Sequence, residues 1–343
     1  MSDEYAVLVA PSASRTYAAD AARLAAAELR WLARGVLDDS VDAEVVTLAG
    51  VEYVALSAAS AELASVVAAS SSAWALFARE GALLRPVELP RRQAFPDDVV
   101  TIPKYTGKTN DQFTHLLLGL TVAASARPEL LVRGRGRVLD PVCGRGTTLS
   151  TALMLGHDAV GIDVDRRDIE TYAGFLATWA KTHRLPHTHR FAPLRRNKRV
   201  VAQELDFAVY ADRQAQKAGD GVRVQAFVAD TADAADLLKP GSVDVIVGDL
   251  PYGVHHGSHR GRDLDRRPLE LVREALPAWL TVLRAGGAIG LSFNAKTLRA
   301  ADLAAVLREA GLHVAEGCEE FGHRVDASIH RELLVAVRSG GAR

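Results

Sequence analysis

From about residue 112 to residue 337, short apolar segments alternate with longer amphipathic ones, and this alternation constrains the fold more than any other feature. Apolar runs of about four to eight residues are typical of buried strands, whereas the longer segments have helical periodicity. Strands that alternate with helices predict a mostly parallel, doubly wound α/β sheet. The last two strands are joined by a loop too short for a helical crossover, so we expect them to be antiparallel. The predicted strands are 137–140, 158–163, 222–228, 243–248, 288–293, 312–317 and 331–337.

The first 95 residues have a different organisation. Strand-like segments dominate there, together with an Ala-rich amphipathic helix at 16–34. This order predicts a small α+β domain over residues 1–95, which ends in a charged, proline-containing linker. We expect a capping segment at 96–111 and the large α/β domain at 112–343. Within the large domain, a basic insertion at 183–221 has no clear core pattern.

Composition limits the classes of protein that fit. The chain has 41 basic and 42 acidic residues, so any nucleic-acid-binding charge must be local. Two cysteines in 343 residues argue against a disulfide framework and fit a reducing cytoplasm. No apolar run approaches the roughly 20 residues of a membrane span, and the start lacks the basic region of a secretory signal. We therefore expect a cytoplasmic protein that has no membrane partner.

A glycine-containing turn, LDPVCGRGTT, follows the first strand of the large domain at residues 139–148. Gly144 and Gly146 allow a tight turn and a close approach of the backbone to a ligand. The dinucleotide fingerprint needs a further glycine at position 149, where this chain has Leu149. A nicotinamide or flavin dinucleotide is therefore disfavoured.

Three acidic residues stand near the ends of successive predicted strands. Asp163 can accept hydrogen bonds from both hydroxyls of a ribose, and Asp230 can accept one from an adenine amino group. Asp140 lies beside the glycine turn, where it can meet a cationic amino-acid tail. With no phosphate-binding lysine nearby, the set indicates an adenosine that carries no phosphate. Any one of these acids could instead be a helix N-cap, but three at successive strand ends are harder to explain that way.

Two motifs together carry a family resemblance over roughly residues 100–337. The stretch LDPVCGRGTTLSTALMLGHDAVGIDVD resembles the S-adenosylmethionine site of class I methyltransferases. The stretch DLPYG at 249–253 resembles the [DNS]-P-P-[YFW] motif of enzymes that methylate exocyclic amino nitrogens of bases, and more narrowly the THUMP-associated tRNA guanosine-N2 methyltransferases. The resemblance implies S-adenosylmethionine as cofactor and tRNA as substrate. It places the cofactor-binding role on Asp140, Pro141, Cys143, Gly144, Gly146, Thr147, Asp163 and Asp230.

The DLPYG stretch also carries the expected catalytic residues. An exocyclic amine is a poor nucleophile, because its lone pair is delocalised into the ring. Asp249 can accept one N–H and a backbone carbonyl of Leu250 or Pro251 the other, which aims the lone pair at the sulfonium methyl. Pro251 stiffens the loop, Tyr252 offers a face for a flipped base, and Gly253 allows close approach. The alternative interpretation of the stretch is a simple turn. A role of Asp249 as general base is disfavoured, because a carboxylate of ordinary pKa is a weak base.

Substrate contacts are expected from two segments. In PKYTGKTNDQF, at 103–113, Lys104, Lys108, Thr109 and Asn110 can meet phosphate or the cofactor carboxylate, although Thr109 or Asn110 can equally cap the following helix. The basic stretch at 182–199 can neutralise phosphates, or can be a solvated loop. Its binding residues would be Arg195, Arg196, Lys198 and Arg199.

Three further stretches bear on a metal site, on a lid and on the border of the pocket. His183, His187 and His189 lie close together, but no cysteine or acid stands at ligand spacing, so we predict no metal site. HHGSHRGRD at 255–263 suits a mobile lid over the target base, and HRVDASIHRE at 323–332 resembles the family's closing hairpin, which we expect to border the same pocket.

Several functional alternatives remain open at this point. The same motif serves N6-adenine and N4-cytosine methylation of DNA and methylation of ribosomal RNA. A non-catalytic RNA-binding protein that retains the fold is a third possibility. The small domain is too short for a complete THUMP module with its ferredoxin-like partner, so it is either the ferredoxin-like half or a diverged THUMP domain. Some related enzymes also use a small activating subunit.

Overall fold

The computed structural model describes residues 3–37, 41–58, 62–196, 198–252 and 268–340. Its N-terminal part is a five-stranded antiparallel sheet in the order β2-β3-β1-β4-β5, with two helices. The succession β-α-β-β-α-β is that of a ferredoxin-like unit, to which β5 adds one strand. The elements are β1 (Asp3–Val9), α1 (Arg15–Leu37), β2 (Asp42–Leu48), β3 (Val51–Ala58), α2 (Leu63–Ala69), β4 (Ala73–Glu80) and β5 (Leu83–Val87). The predicted α+β character of this region is confirmed.

Helix α1 belongs to two hydrophobic cores at once. Leu29 and Leu32 face the core of the small sheet, while Leu24 packs into the core of the large sheet. Eleven of its 23 residues are buried, and many of these are alanines. Their small side chains let the neighbouring elements approach the helix closely on both sides. The indole N–H of Trp31 also donates to the carbonyl of Leu120, in the large domain, at 3.0 Å. The helix therefore joins the small sheet directly to the large domain.

The large domain begins with helices that cover one face of its sheet. None of the helices in the described ranges has both the length and the apolar character that a membrane span requires. Its first elements are α3 (Asp98–Thr101), α4 (Asp111–Ala124), α5 (Leu130–Arg133), β6 (Arg137–Asp140), α6 (Thr147–Met154), β7 (Asp158–Asp163), α7 (Arg166–Thr182), β8 (His187–Arg196) and β9 (Arg199–Tyr210). The remaining elements are α8 (Arg213–Ala218), β10 (Gly221–Val228), α9 (Ala234–Leu237), β11 (Val243–Asp249), α10 (Pro268–Val282), β12 (Leu283–Asn294), α11 (Ala300–Glu309), β13 (Leu312–Val314), β14 (His323–Arg324) and β15 (His330–Arg338).

These strands form one ten-stranded sheet in the order β13-β15-β12-β11-β6-β7-β10-β9-β8, with β14 paired to β15. Its central strands β12, β11, β6, β7 and β10 are parallel, and helices pack against them. Strand β15 is antiparallel to both β12 and β13. The predicted Rossmann-like, doubly wound sheet with an antiparallel last strand is therefore confirmed.

The region 183–221 differs from its prediction. Instead of an unpatterned basic insertion, it contains the antiparallel hairpin β8–β9, which continues the sheet through pairing of β9 with β10. Buried residues alternate along β9, but the edge strand β8 is largely exposed, so its core pattern is weak in sequence. Basic residues on an edge strand also protect it from pairing with other chains.

The tip of this hairpin lies at a defined edge of the sheet. Val228 ends β10 opposite Gln203 of β9, so residues 199–202 extend beyond the carboxyl end of β10. Helix α8, in contrast, follows Tyr210, which pairs with Gly221 at the start of β10. The hairpin tip and α8 therefore lie at opposite edges of the sheet.

Candidate active site

Four acidic residues meet at the carboxyl edge of the parallel strands. Asp140, Asp163 and Asp249 end β6, β7 and β11, and Asp230 lies two residues after the end of β10. Because these strands are parallel neighbours, their carboxyl ends lie at one edge, where doubly wound folds bind ligands. The structure brings together all four acids that the sequence singled out.

The glycine turn before α6 requires its two glycines. Gly144 and Gly146 have φ angles of +47° and +79°. A Cβ on Gly146 would lie 2.6 Å from the ring of the buried Tyr172, whereas open space surrounds the corresponding position on Gly144. The Gly144 N–H donates to Asp163 Oδ2 at 2.7 Å, which ties the turn to the end of β7. The missing side chain at Gly144 thus leaves room for a ligand, whereas the one at Gly146 leaves room for the Tyr172 ring.

A first cavity, of about 240 Å³, opens between the ends of β6, β7, β10 and β11. Its described lining combines carboxylates with apolar side chains and contains no lysine or arginine. Carboxylates can accept from ribose hydroxyls and an adenine amine, and the apolar groups can cover the base. This combination of acceptors and apolar side chains fits an adenosine without phosphates. The lining is Pro141, Val142, Asp163, Val164, Ala229, Asp230, Thr231, Asp249, Pro251 and Leu271.

The two acids of this cavity have structural partners of their own. Asp163 Oδ1 accepts from the Asp165 backbone N–H at 2.9 Å, and Asp230 Oδ1 accepts from Ala232 N–H at 3.0 Å, which caps a short 3₁₀ turn. Burial raises the pKa of Asp163. Carboxylate oxygens can accept more than one hydrogen bond, so the cap on Asp230 is compatible with a ligand contact.

Asp140 is the most buried of the four acids, at 3% exposure. Burial raises its pKa to about 7. Its Oδ1 accepts from the Val142 N–H at 3.0 Å, so the carboxylate also holds the start of the glycine turn. Asp140 lines a second cavity. Its contact with the cationic amino-acid tail of the cofactor stays a prediction.

This second cavity, of about 720 Å³, adjoins the first and shares Val142, Asp249 and Pro251 with it. One space can therefore hold the cofactor and a nucleobase side by side. Three separate segments close it: the stretch before α4, the glycine turn, and the turn between β14 and β15. The side chains from those segments include Tyr105, Lys108, Thr109, Cys143, Arg145, Thr147, Thr148, Val325, Asp326, Ser328, Ile329 and Arg331.

Asp249 lies where the two cavities meet and is held by a dense network. Its Oδ1 accepts from the hydroxyls of Tyr252 and Ser292, at 2.6 and 2.5 Å. Its Oδ2 accepts from Thr109 Oγ1 at 2.6 Å, and Arg331 Nη2 lies 3.4 Å from it. The carboxylate orientation is thus fixed before any substrate arrives.

The rest of the DLPYG loop is also constrained. The Leu250 N–H donates to the Ser292 carbonyl at 2.8 Å, and its side chain is 1% exposed. Tyr252 receives a hydrogen bond from Arg331 Nε at 2.7 Å, and burial raises the pKa of its hydroxyl. Pro251 lines both cavities. Gly253 and the predicted lid at 255–263 lie outside the described residues.

Sequence reasoning missed Ser292 and Arg331. Ser292 stands opposite Asp249 in the parallel pairing of β11 with β12, a register that short sequence motifs do not reveal. Arg331 lies within the stretch 323–332, which was expected to border the pocket and does so. Only the three-dimensional contact shows which of its residues reaches Asp249.

Of the two roles predicted for the segment before α4, the structure shows the helix cap. Asn110 accepts from the Phe113 N–H at 2.9 Å, so it caps α4, as the structural alternative predicted. Lys108 donates to the Val100 carbonyl and pairs with Asp111 at 2.7 Å. Both residues therefore shape the segment, and a direct substrate contact by either stays a prediction. Lys104 is exposed.

Other predicted cofactor residues lie in the same turn. Cys143 is buried beneath it, against Gly161 of β7, and burial raises the pKa of its thiol. Thr147 begins α6, and its hydroxyl lies 2.8 Å from that of Tyr105. Tyr105 in turn packs under the guanidinium of Arg145, at 5.0 Å from the ring centroid. The turn and the capping segment thus close around one end of the second cavity.

The four basic residues of the hairpin tip do not act alike. Arg195, Lys198 and Arg199 are exposed. Arg196 is exposed as well, but its guanidinium donates to the carbonyls of Asp236 and Leu237 in α9, the second at 2.9 Å. Arg196 therefore anchors the hairpin to the large domain, and the other three present charge at the carboxyl edge.

The family comparison agrees with this geometry. The family model described as UPF0020, RMKL-like, methyltransferase domain, matches residues 131–301. That part of the chain belongs to this methyltransferase family. It is a class I methyltransferase, and S-adenosylmethionine is its methyl donor. No curated protein sequence matches the chain.

Solved structures are similar at low identity. TrmN from Thermus thermophilus is 16% identical, with a TM-score of 0.40 over 87% of this chain and 60% of its own. A TehB-like SAM-dependent methyltransferase from Corynebacterium glutamicum is 17% identical, with a TM-score of 0.34 over 60% of this chain and 80% of its own. TYW2 from P. horikoshii, in complex with MeSAdo, is 14% identical, with a TM-score of 0.33 over 60% of this chain and 58% of its own.

Proposed function

We propose that this methyltransferase modifies an exocyclic amino group of a nucleobase, most specifically N2 of a guanosine in tRNA. The observation that carries the proposal is the position of Asp249, at the junction of the cofactor cavity and a second cavity of about 720 Å³. An acceptor at that junction faces the place where a base amine must meet the methyl group.

The DLPY loop would act through orientation. Asp249 accepts one amine N–H, and the carbonyl of Leu250 or Pro251 accepts the other, so the nitrogen lone pair points toward the cofactor cavity. When bound, S-adenosylmethionine supplies an electrophilic methyl group on a sulfonium. The nitrogen gains the C–N bond as the S–C bond breaks, and the resulting cationic nitrogen then loses its proton to solvent. The Tyr252 ring lies against the pocket, where it can stack on the base.

The hydrogen-bond capacity of Asp249 supports this role. A carboxylate offers about two acceptor positions on each oxygen. Two hydroxyls occupy Oδ1, whereas Oδ2 accepts one short bond from Thr109 and has a longer contact, at 3.4 Å, with Arg331 Nη2. A substrate N–H that binds to Oδ2 therefore competes only with this long contact and displaces no short hydrogen bond.

The cofactor would be held by residues around the first cavity. Asp163 and Asp230 accept from the ribose and the adenine, and Gly144 admits the cofactor backbone beside the turn. Pro141 lines the same cavity, whereas Asp140, Cys143 and Thr147 line the adjoining second cavity, and Gly146 belongs to the turn beside them.

A polynucleotide is favoured over a free nucleotide by the hairpin tip. Arg195, Lys198 and Arg199 lie at the same sheet edge as Asp249, but four to five strand spacings away, or roughly 19–24 Å. A single nucleoside in the pocket cannot reach that far, whereas the phosphates of a folded RNA can. The small N-terminal domain adds further surface for such a substrate, and a small activating subunit would be compatible with it.

The test is methylation with isotope-labelled S-adenosylmethionine and unmodified transcripts of tRNA, ribosomal RNA and DNA, followed by mass spectrometry of the nucleosides. Label in N2-methylguanosine from tRNA supports the proposal in full. Label in N6-methyladenosine or in DNA keeps the chemistry and overturns the substrate. No label, despite measured cofactor binding, indicates a missing subunit or a non-catalytic RNA-binding protein.

A further inference from the structure

Arg331, near the start of β15, is a buried cation beside the DLPY loop. Its side chain is 4% exposed. Burial of a guanidinium is costly unless charge and hydrogen-bond partners compensate for the lost water. The position of those partners therefore indicates what the residue is for.

All of the described polar contacts of its side chain are to the DLPY loop. Nε donates to the Tyr252 hydroxyl at 2.7 Å, and Nη2 lies 3.4 Å from Asp249 Oδ2. The Tyr252 hydroxyl in turn donates to Asp249 Oδ1 at 2.6 Å. Arginine, tyrosine and aspartate thus close a ring of hydrogen bonds in which each group fixes the other two.

Two aromatic rings hold the guanidinium in place. Its central carbon lies 4.8 Å from the centroid of Phe113 and 5.5 Å from that of Tyr252. Phe113 belongs to α4 and is 1% exposed, so it is a rigid support. A planar cation between these rings gains cation–π attraction, and its fork matches two acceptors at once.

We propose that Arg331 is a positioning residue for methyl transfer, which fixes the Asp249 carboxylate and the Tyr252 ring in the geometry that receives the base. The inference rests on the proposed function, since it assumes that Asp249 and Tyr252 contact the substrate. Arg331 acts on the substrate only through these two residues.

The test compares Arg331→Met and Arg331→Lys with Arg299→Met, a control at an exposed arginine on the surface near α11. Single-turnover methyl transfer to a substrate RNA and cofactor affinity are measured for each variant. We expect Arg331→Met to slow transfer by about 10- to 100-fold, because small misplacements of reacting groups have effects of this size. Cofactor affinity should stay within about threefold, and Arg331→Lys should recover part of the rate.

A double-mutant cycle with Tyr252→Phe separates positioning from a general loss of structure. Because Arg331 acts partly through the Tyr252 hydroxyl, its replacement should cost clearly less in the Tyr252→Phe background. Full additivity, or a parallel loss of cofactor binding in both Arg331 variants, would overturn the inference. So would a wild-type rate in Arg331→Met.

A second readout does not depend on activity. In protein labelled with 3-fluorotyrosine, Tyr252 should give one sharp ¹⁹F resonance, assigned through Tyr252→Phe. Arg331→Met should shift or broaden it, and Arg299→Met should not. If wild-type protein alone methylates no nucleic acid, the rates cannot be compared, and this resonance alone decides on Arg331: an unchanged signal in Arg331→Met contradicts its role in holding the ring.

Discussion

Individual residues of the glycine turn decide whether the cofactor cavity can form. Gly146 combines a φ of +79° with a Cβ position only 2.6 Å from the ring of Tyr172. Tyr172 is 2% exposed and has little room to move. A side chain at position 146 would therefore cause both backbone strain and a steric clash with the Tyr172 ring.

We expect Gly146→Ala to lose at least tenfold in S-adenosylmethionine affinity and about 2 kcal/mol or more of unfolding free energy. The matched control is Gly219→Ala, which has a φ of +70° but no atom within 4 Å of the added Cβ. It should show only the backbone strain, roughly 1 kcal/mol. Calorimetric titration and urea unfolding measure both quantities. Equal effects of the two variants would contradict the close-contact explanation.

The residues that sequence could predict are those fixed by local chain order. Asp140, Asp163, Asp230 and Asp249 were found because each lies at or just after the end of an apolar strand, and parallel strands bring their ends together. Ser292 was not predicted, because its place beside Asp249 depends on the register of a separate strand.

Among the elements, the β8–β9 hairpin carries the substrate prediction. Its tip presents basic side chains at the same edge as the reaction loop, while α8 carries Arg213 and Lys217 at the opposite edge. The two sites allow a comparison of equal charge changes in different places.

We expect Arg195→Glu/Arg199→Glu to weaken RNA binding and to reduce the slope of log K against log salt by roughly 1.5, because two phosphate contacts are lost. Arg213→Glu/Lys217→Glu is the control and should leave the slope nearly unchanged. Fluorescence anisotropy over a salt series measures it. Equal losses in both variants would show that the tip has no special role.

The element boundaries show why this hairpin escaped sequence prediction. Strands such as β11 are buried on both faces and read as continuous apolar runs. Strand β8 is mostly exposed, with arginine, histidine and proline among its residues, so pairing with β9 defines it and composition does not. The antiparallel end of the sheet was predictable, because a short loop excludes a crossover.

At the scale of the whole molecule, α1 joins the small sheet to the methyltransferase domain through close backbone contact. A Cβ on Gly35 would lie 2.5 Å from the Ala123 carbonyl oxygen of α4. The same helix also reaches the closing hairpin at 323–332, where Arg23 donates to the carbonyl of the preceding Gly322 at 2.8 Å and Tyr17 packs edge-on against His323. The small domain therefore supports the wall of the active site.

Gly35→Ala tests this junction. In an open helix the change would stabilise by up to about 1 kcal/mol, because alanine is the better helix former. Here we expect a loss of about 1–3 kcal/mol in unfolding free energy, because the helices must separate. Gly174→Ala in α7, with no atom within 4 Å of its Cβ, is the control and should be neutral or stabilising. If Gly35→Ala were as stable as Gly174→Ala in urea unfolding, the close-packing account would be wrong.

The most direct test of the central claim is a single-turnover measurement of Asp249→Ala with a substrate RNA, made alongside cofactor titration. The account predicts cofactor affinity within a few-fold of wild type and a transfer rate reduced by about 100-fold or more, because the amine loses the acceptor that orients it. Asp302→Ala, at an exposed aspartate of α11, is the control and should keep the wild-type rate. Methyl transfer by Asp249→Ala at the wild-type rate would contradict the claim that this carboxylate positions the reacting nitrogen.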